Sequence, residues 1–322
     1  MCMNVAIIGG SGFVGSKLID KLLEGKDIAS IVNIDKNKSV KHVSLWREGN
    51  VLDIETLTKL LSGVDIVILL AAEHRDDVSP TSLYYDVNVQ GMHHTLAAME
   101  ANSIKRLIFT SSVAVYGLDK DNPGETFPVD PFNHYGISKW QAEQVLQEWY
   151  VNHGDWNINI VRPTVIFGEG NRGNVFNLLK QIASGKFMMI GAGNNQKSMS
   201  YVGNVVAFIQ FMMEEVKSGY NVYNYVDKPD FTTNDLVYHT GKILGKNIPS
   251  VKIPYAIGMF GGYCFDLLAF VTRRKLSISS VRVKKFCAVT KYDSTKAMSS
   301  GFLPPFSMEE GLRRMLNEEF NT

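Results

Sequence analysis

Three side chains in the first half of this 322-residue chain have the types and spacing to move a proton alongside a hydride. Tyr135 and Lys139, in the run YGISK, stand four residues apart, so a helix sets them about one turn apart on one face. An ammonium beside a phenol favours phenolate. That predicts a tyrosine pKa below its ordinary value of about 10 and a group that can act as acid or base at neutral pH. Ser112, just past an apolar run ending at Thr110, can hydrogen-bond the same substrate oxygen and steady the charge developing on it. The trio suits reversible hydride removal at a carbinol carbon. YxxxK alone arises by chance, and its plain alternative is an exposed helix pair; the elements around it weigh against that alternative.

A hydride needs an acceptor, and the chain opens with a place for one. Gly9, Gly12 and Gly15, in IIGGSGFVG, follow the first apolar strand and begin the first helix. There one glycine makes the tight turn, one lets backbone approach a pyrophosphate, and one permits close helix packing. Asp35 ends the next strand, in IVNID, where a carboxylate can accept hydrogen bonds from the adenosine ribose hydroxyls. It would repel a 2′-phosphate, which favours NAD, although Lys36 and Lys38 partly offset that repulsion and keep NADP open.

The positioning elements follow a βαβ rhythm. We read strands at Asn4 to Ile8, Ile28 to Ile34, Ile66 to Leu70, Arg106 to Thr110 and Ile158 to Arg162. Helical patterns fill Phe13 to Leu23, Ile54 to Leu61, Val87 to Glu100 and the stretch through Lys139 to Tyr150. This predicts an α/β fold, a Rossmann-type doubly wound parallel sheet. From about Gly168 the texture becomes irregular, which predicts a dinucleotide-binding domain over 1–167, with later segments returning to its sheet, and a smaller α/β substrate lobe over 168–322.

Composition excludes several classes. With 45% hydrophobic and 20% charged residues the chain is ordinarily globular, and a net charge of +1 with no basic run lacks the footprint of a nucleic-acid binder. Cys2, Cys264 and Cys287 show no metal-ligand spacing, so no metal site is expected, and they read as buried, reduced thiols of a cytoplasmic protein. No basic leader precedes the first strand, which argues against a signal peptide. The apolar stretch Pro254 to Val271 carries Asp266, two tyrosines and three glycines. We read it as a helix packed in the second lobe, with no firm membrane association; peripheral membrane contact through its apolar face and the basic tail Arg273, Arg274 and Lys275 is the alternative.

Taken together the sequence resembles the extended short-chain dehydrogenase/reductase family, in particular its nucleotide-sugar epimerases, dehydratases and 4-keto reductases. GGSGFVG at 9–15, Asp35, GNVLD at 49–53, LAAEH at 70–74, NVQG at 88–91, TSSVAVYG at 110–117, YGISK at 135–139 and RPTVIFG at 162–168 carry the resemblance. It implies that Phe13 and Val14 bind the cofactor with the glycine turn, Asn50 and Val51 flank adenine, and Ala71 and Ala72 flank the middle of the dinucleotide. Tyr135 and Lys139 would also touch the cofactor, Lys139 at the nicotinamide ribose. Among substrate contacts it implies Ser112, with Asn174, Lys197 and Arg282 toward the diphosphate or nucleotide and Thr290 beside the sugar C2. Lys197 stands where many relatives carry arginine, and a lysine lacks the bidentate fork. Relatives commonly pair as homodimers through the helices after Val87 and after Tyr135.

The residues after Ser112 narrow the reaction. Family dehydratases carry an Asp-Glu pair there for water elimination, and this chain has Val113 and Ala114. The expectation is an NAD-dependent epimerase of a UDP-hexose or UDP-N-acetylhexosamine, acting at C4. The alternative is an NAD(P)H-dependent 4-keto-sugar reductase of surface-polysaccharide synthesis. A non-catalytic dinucleotide sensor is a further reading, against which the retained Tyr/Lys pair speaks.

Overall fold

The computed structural model describes residues 2–320 apart from 76–77, 186, 215–218, 250, 274–275 and 277–278. The chain begins with β1 (Met3–Ile8), α1 (Phe13–Leu23), β2 (Ile28–Asp35), β3 (Trp46–Glu48), α2 (Ile54–Leu60) and β4 (Ile66–Leu69). A short helix α3 (Ser82–Tyr85) runs through a π-helical turn at Asp86–Gln90 into α4 (Gly91–Ala101), followed by β5 (Arg106–Thr110), α5 (His134–Asn152) and β6 (Asn157–Pro163). Then come β7 (Val165–Phe167), α6 (Asn174–Ala183), β8 (Met189–Ile190), β9 (Gln196–Tyr201), α7 (Val202–Glu214), β10 (Gly219–Tyr225) and β11 (Asp227–Thr232). The chain closes with α8 (Thr233–Leu244), β12 (Lys252–Ile253), α9 (Tyr255–Thr272), α10 (Ser280–Cys287), α11 (Thr295–Met298) and α12 (Met308–Phe320).

Seven strands form one parallel sheet in the order β10-β6-β5-β4-β1-β2-β3. Its central strands β1, β4 and β5 are buried on both faces, which is why they read as apolar runs. The two-residue period shows in β1: Val5 and Ile7 join the core under α1 and α7 with Leu18, Leu22, Val205 and Ile209. Ala6 and Ile8 face the other way and join Leu57, Leu96, Ala142 and Leu146 from α2, α4 and α5. The strand order reverses between β1 and β4, and a ligand crevice opens above the carboxyl ends of the strands at such a switch point.

Two strands of this sheet escape the sequence rhythm. Strand β3 is three residues long and pairs at the edge with Asn33–Asp35, too short to carry a periodic signal. Strand β10 lies beyond the texture change yet pairs with β6 along its whole length, so the second half of the chain completes the first half's sheet. The remaining strands make a three-stranded sheet β11-β9-β7 and the pair β12-β8.

Two expectations need correction. Cys2 and Cys264 are exposed and only Cys287 is partly covered, so the thiols are not a buried set. The 254–271 stretch does form a helix, α9, but it is not packed into the lobe, because only Gly262 among its residues is buried. Arg273 caps it in a left-handed conformation, while Arg274 and Lys275 lie outside the described residues.

Candidate active site

The glycine turn sits at the switch point, and the space around each glycine separates its roles. Gly9 has φ +92°, and a Cβ there would stand 2.5 Å from the Ala71 nitrogen, which itself donates to the Ile8 carbonyl. The turn therefore requires glycine on both conformational and steric grounds. At Gly15 a Cβ would meet Gly10 Cα and Gly9 O at 2.5 Å, so this position lets α1 close against the turn. Gly12 differs: a Cβ there would approach only Gly9 O, at 3.3 Å, and otherwise point into open space. Gly12 also caps α1 with no side-chain hydrogen bond and no acidic residue in the first turn, leaving helix N–H groups for an anion. A cavity of about 320 Å³ opens there, lined among others by Ser11, Gly12, Phe13, Ser16 and Gly170.

Asp35 reaches the same turn. Its carboxylate accepts from the Ser11 nitrogen (3.0 Å) and the Asn37 nitrogen (2.8 Å), which fixes it beside the glycines with lone pairs left for ribose hydroxyls. Asn50 is exposed next to β3 and turns its side-chain oxygen to the Leu52 nitrogen. Val51 is buried against Gly91, so it serves packing. Ala71 and Ala72 lie partly exposed at the end of β4, and Val14 is half-buried on α1. These residues fit a dinucleotide lying across the carboxyl ends of the strands.

The proposed catalytic trio is assembled by β5 and α5. Asn133 caps α5 by accepting from the Gly136 nitrogen at 2.9 Å, which starts the helix at His134, one residue before Tyr135. Ser112 caps the turn Val113–Tyr116, accepting from the Ala114 nitrogen at 3.1 Å, and hydrogen-bonds the Tyr135 phenol. Lys139 is buried at 2% exposure, with Nζ donating to the Thr110 carbonyl at 2.8 Å and lying 4.8 Å from the centre of the Phe109 ring. Here the structure corrects the expected electrostatics. Burial pushes the Tyr135 phenol up rather than down, opposed only by the Ser112 hydrogen bond, and burial takes Lys139 down to about 7 against the pull of Glu143. Desolvation outweighs the ammonium because Lys139 turns to the β5 backbone.

Two residues to which the sequence reading gave no role of their own hold this arrangement. Glu143 lies one turn beyond Lys139 and is 1% exposed; it accepts from Arg162 Nε at 2.9 Å and from the Ser111 hydroxyl. Arg162 Nη1 continues to the Tyr116 hydroxyl at 2.6 Å, which donates to Asn224 at 2.9 Å, so β6, the Ser112 turn and β10 are tied together. The signal was present: a glutamate on the buried face of α5 and an arginine inside an apolar strand need each other. Asn88, in the π-helical turn, bonds both backbone groups of Glu73 at 3.0 Å and donates to Ser138 at 2.8 Å. It locks the β4 loop to α5 beside Tyr135, and such turns recur at functional sites.

The substrate-side residues are more scattered. Asn174 is exposed as the first residue of α6, and Arg282 is exposed on the first turn of α10. Thr290 bridges to Lys197, its nitrogen donating to Gln196 O at 3.0 Å and its carbonyl accepting from Ser198 N at 2.8 Å. Lys197 is not turned to a phosphate: Nζ donates to Lys285 O at 3.1 Å and Ala288 O at 2.6 Å, the carbonyl end of α10. Its ammonium serves the helix terminus, where a cation is favoured, and burial lowers it to about 8.

Residues 5–225 match the NAD dependent epimerase/dehydratase family. The chain is 58% identical over 318 residues to the N-acetyl-alpha-D-glucosaminyl-diphospho-ditrans,octacis-undecaprenol 4-epimerase of Escherichia coli O157:H7, covering 98% of this chain and 95% of that protein. It is 26% identical to the UDP-glucose 4-epimerase of Vibrio cholerae, over 98% and 94% of the two chains. The UDP-glucuronic acid 4-epimerase of Bacillus cereus, solved in complex with NAD, shares the fold with a TM-score of 0.77 at 21% identity, each chain covered to 98%. A match over more than half its length and a relative at 58% identity put this chain in the NAD dependent epimerase/dehydratase family, and it is an NAD-dependent epimerase of the extended short-chain dehydrogenase type.

Proposed function

We propose that the enzyme interconverts the C4 epimers of an N-acetylhexosamine carried on a diphosphate, with a polyprenol as the carrier. The observation that carries this is the 58% identity, over nearly the full chain, to a relative named for that reaction on an undecaprenyl diphosphate sugar. A UDP-linked N-acetylhexosamine is the second reading, favoured by the Vibrio cholerae relative.

When bound, NAD supplies a hydride acceptor, later the donor, and a ring charge that favours phenolate. Tyr135 takes the C4 hydroxyl proton and returns it after the 4-keto sugar has presented its other face. Ser112 holds the same oxygen through both half-reactions and hydrogen-bonds the phenol, so the proton moves along one short path. Lys139, fixed by the Thr110 carbonyl one helical turn from Tyr135, would hold the nicotinamide ribose. Val113 and Ala114 offer no carboxylate for elimination, so the keto sugar is returned as alcohol.

The chemistry of the relative and the requirement for NAD support a cytoplasmic enzyme that feeds surface-polysaccharide synthesis. The homodimer we propose would pair α4 and α5 with their copies. The test of function is direct: purified protein, without added cofactor, is given polyprenyl-diphosphate-linked N-acetylglucosamine or UDP-N-acetylglucosamine. Formation of the galacto epimer on the polyprenol supports the first reading, and epimerisation of the UDP-sugar alone supports the second. An enzyme that needs stoichiometric reduced cofactor for turnover would overturn both.

A further inference from the structure

Helix α9 is apolar over 18 residues, with a mean hydropathy of 1.4, yet only 6% of it is buried. One stripe of it is engaged. A Cβ on Gly258 would stand 2.5 Å from Ile190 Cγ2, and one on Gly262 would stand 2.8 Å from Ser280 Cα, so both glycines let the helix lie directly on β8 and α10. Four residues on, the Asp266 carboxylate accepts from the Ser280 nitrogen at 3.2 Å. The three positions recur at a spacing of four and seat the helix, with its one charged residue turned toward α10. The opposite side carries Ile257, Phe260, Tyr263, Leu267, Phe270 and Val271, each at least 60% exposed.

Charge selects the occupant of this face. Residues 252–291 hold eight lysines and arginines against the single carboxylate Asp266. Arg273, Arg282 and Lys284 are exposed at the end of α9 and on α10. A second copy would bring two such basic faces together and be repelled. An aromatic and aliphatic stripe flanked by cations matches an anionic phospholipid surface, with the side chains entering the headgroup and acyl boundary. The seating on α10 fixes α9 along the protein, so it lies in the plane of the interface instead of spanning the bilayer.

We propose that α9, with the basic residues of α10, docks this enzyme on an anionic bilayer. Resting on the polyprenol reading above, this adds how the substrate arrives. Helix α10 bears Arg282, the residue expected at the diphosphate, and packs on α9, so the carrier chain stays in lipid while the sugar enters the site.

The experiment uses the full-length protein with NAD, floated with vesicles of phosphatidylglycerol and phosphatidylcholine or of phosphatidylcholine alone, and a F260E/L267E/F270E variant checked for unchanged melting temperature. We expect flotation with anionic vesicles that weakens with salt, and more than about tenfold weaker binding by the variant. Turnover of a vesicle-embedded polyprenyl-diphosphate sugar should fall in parallel, with turnover of a short-chain, water-soluble analogue retained. Wild-type protein that stays with the supernatant, or a variant that floats equally well, overturns the docking. So does a variant that changes only the molar mass in solution, which would assign the face to a second copy. Flotation of a protein that acts only on UDP-sugars leaves the docking standing and removes the polyprenol reading.

Discussion

Tyr135 and Lys139 show how far a motif can be read and where burial takes over. Spacing put both on one helix face, and Ser112 joins them, but Lys139 spends a hydrogen bond on the Thr110 carbonyl and both groups are desolvated. Tyr135→Phe removes only the hydroxyl; we expect turnover to fall by at least about a hundredfold with NAD affinity little changed, as read by steady-state kinetics and cofactor titration. Lys139 makes a pH signature. Between its folded value of about 7 and its ordinary 10.5, the unfolded chain holds the lysine proton that the folded protein has released, so raising the pH favours folding. Wild type should therefore gain stability over Lys139→Met across that window, by up to about 1.4 kcal/mol per pH unit, and the gap should be flat below pH 7. Urea unfolding of the two proteins from pH 6 to pH 9, about three units, is the measurement; a gap that does not change would remove the buried, neutral lysine.

The strand-turn-helix unit β1–α1 separates folding from binding within seven residues. A Cβ on Gly15 would run into the Gly9–Gly10 backbone, while one on Gly12 would touch only Gly9 O and otherwise face open space, so the same substitution should act differently at the two sites. Gly15→Ala is expected to lose about 1–3 kcal/mol of stability, the cost of an overpacked contact that cannot relax, as seen in denaturant unfolding. Gly12→Ala should leave unfolding nearly unchanged and weaken NAD binding, because its methyl enters the space where we propose that the pyrophosphate approaches the α1 N–H groups. Calorimetric titration with NAD distinguishes the two, and equal stability losses would refute this division of roles. On the other side of the sheet, the Glu143–Arg162 pair ties α5 to β6, so the helix bearing Tyr135 is held by a buried charge pair as well as by packing.

For the whole molecule, β10 closes the sheet from beyond α6, β8, β9 and α7, so neither half of the chain is complete without the other. The proposed homodimer would meet along outer helix faces that are polar here, with His93 on α4 and Gln144, Gln147 and Glu148 on α5 exposed. An interface of that composition rests on hydrogen bonds around a small apolar area and stays sensitive to charge. Light scattering should give about twice the 35.9 kDa chain, and Gln144→Glu with Gln147→Glu should shift the mass toward the monomer. A monomer at all concentrations would remove this pairing.

The local chemistry was legible from residues alone. A glycine turn announces itself because only glycine tolerates φ +92° against a neighbouring backbone, and parallel strands announce themselves because both faces are buried. The same local logic located Ser112, Asp35 and the Tyr135–Lys139 spacing. What tertiary structure decided was set by partners distant in sequence. Lys197 looked like a phosphate ligand until α10 placed its carbonyl end 2.6 Å from the ammonium. Glu143 gained meaning only when β6 brought Arg162 to it, and the α9 stretch, apolar by composition, was left exposed because two glycines and one aspartate seat it by a single stripe. Periodicity reports which face of an element is apolar; only the packed molecule says what that face meets.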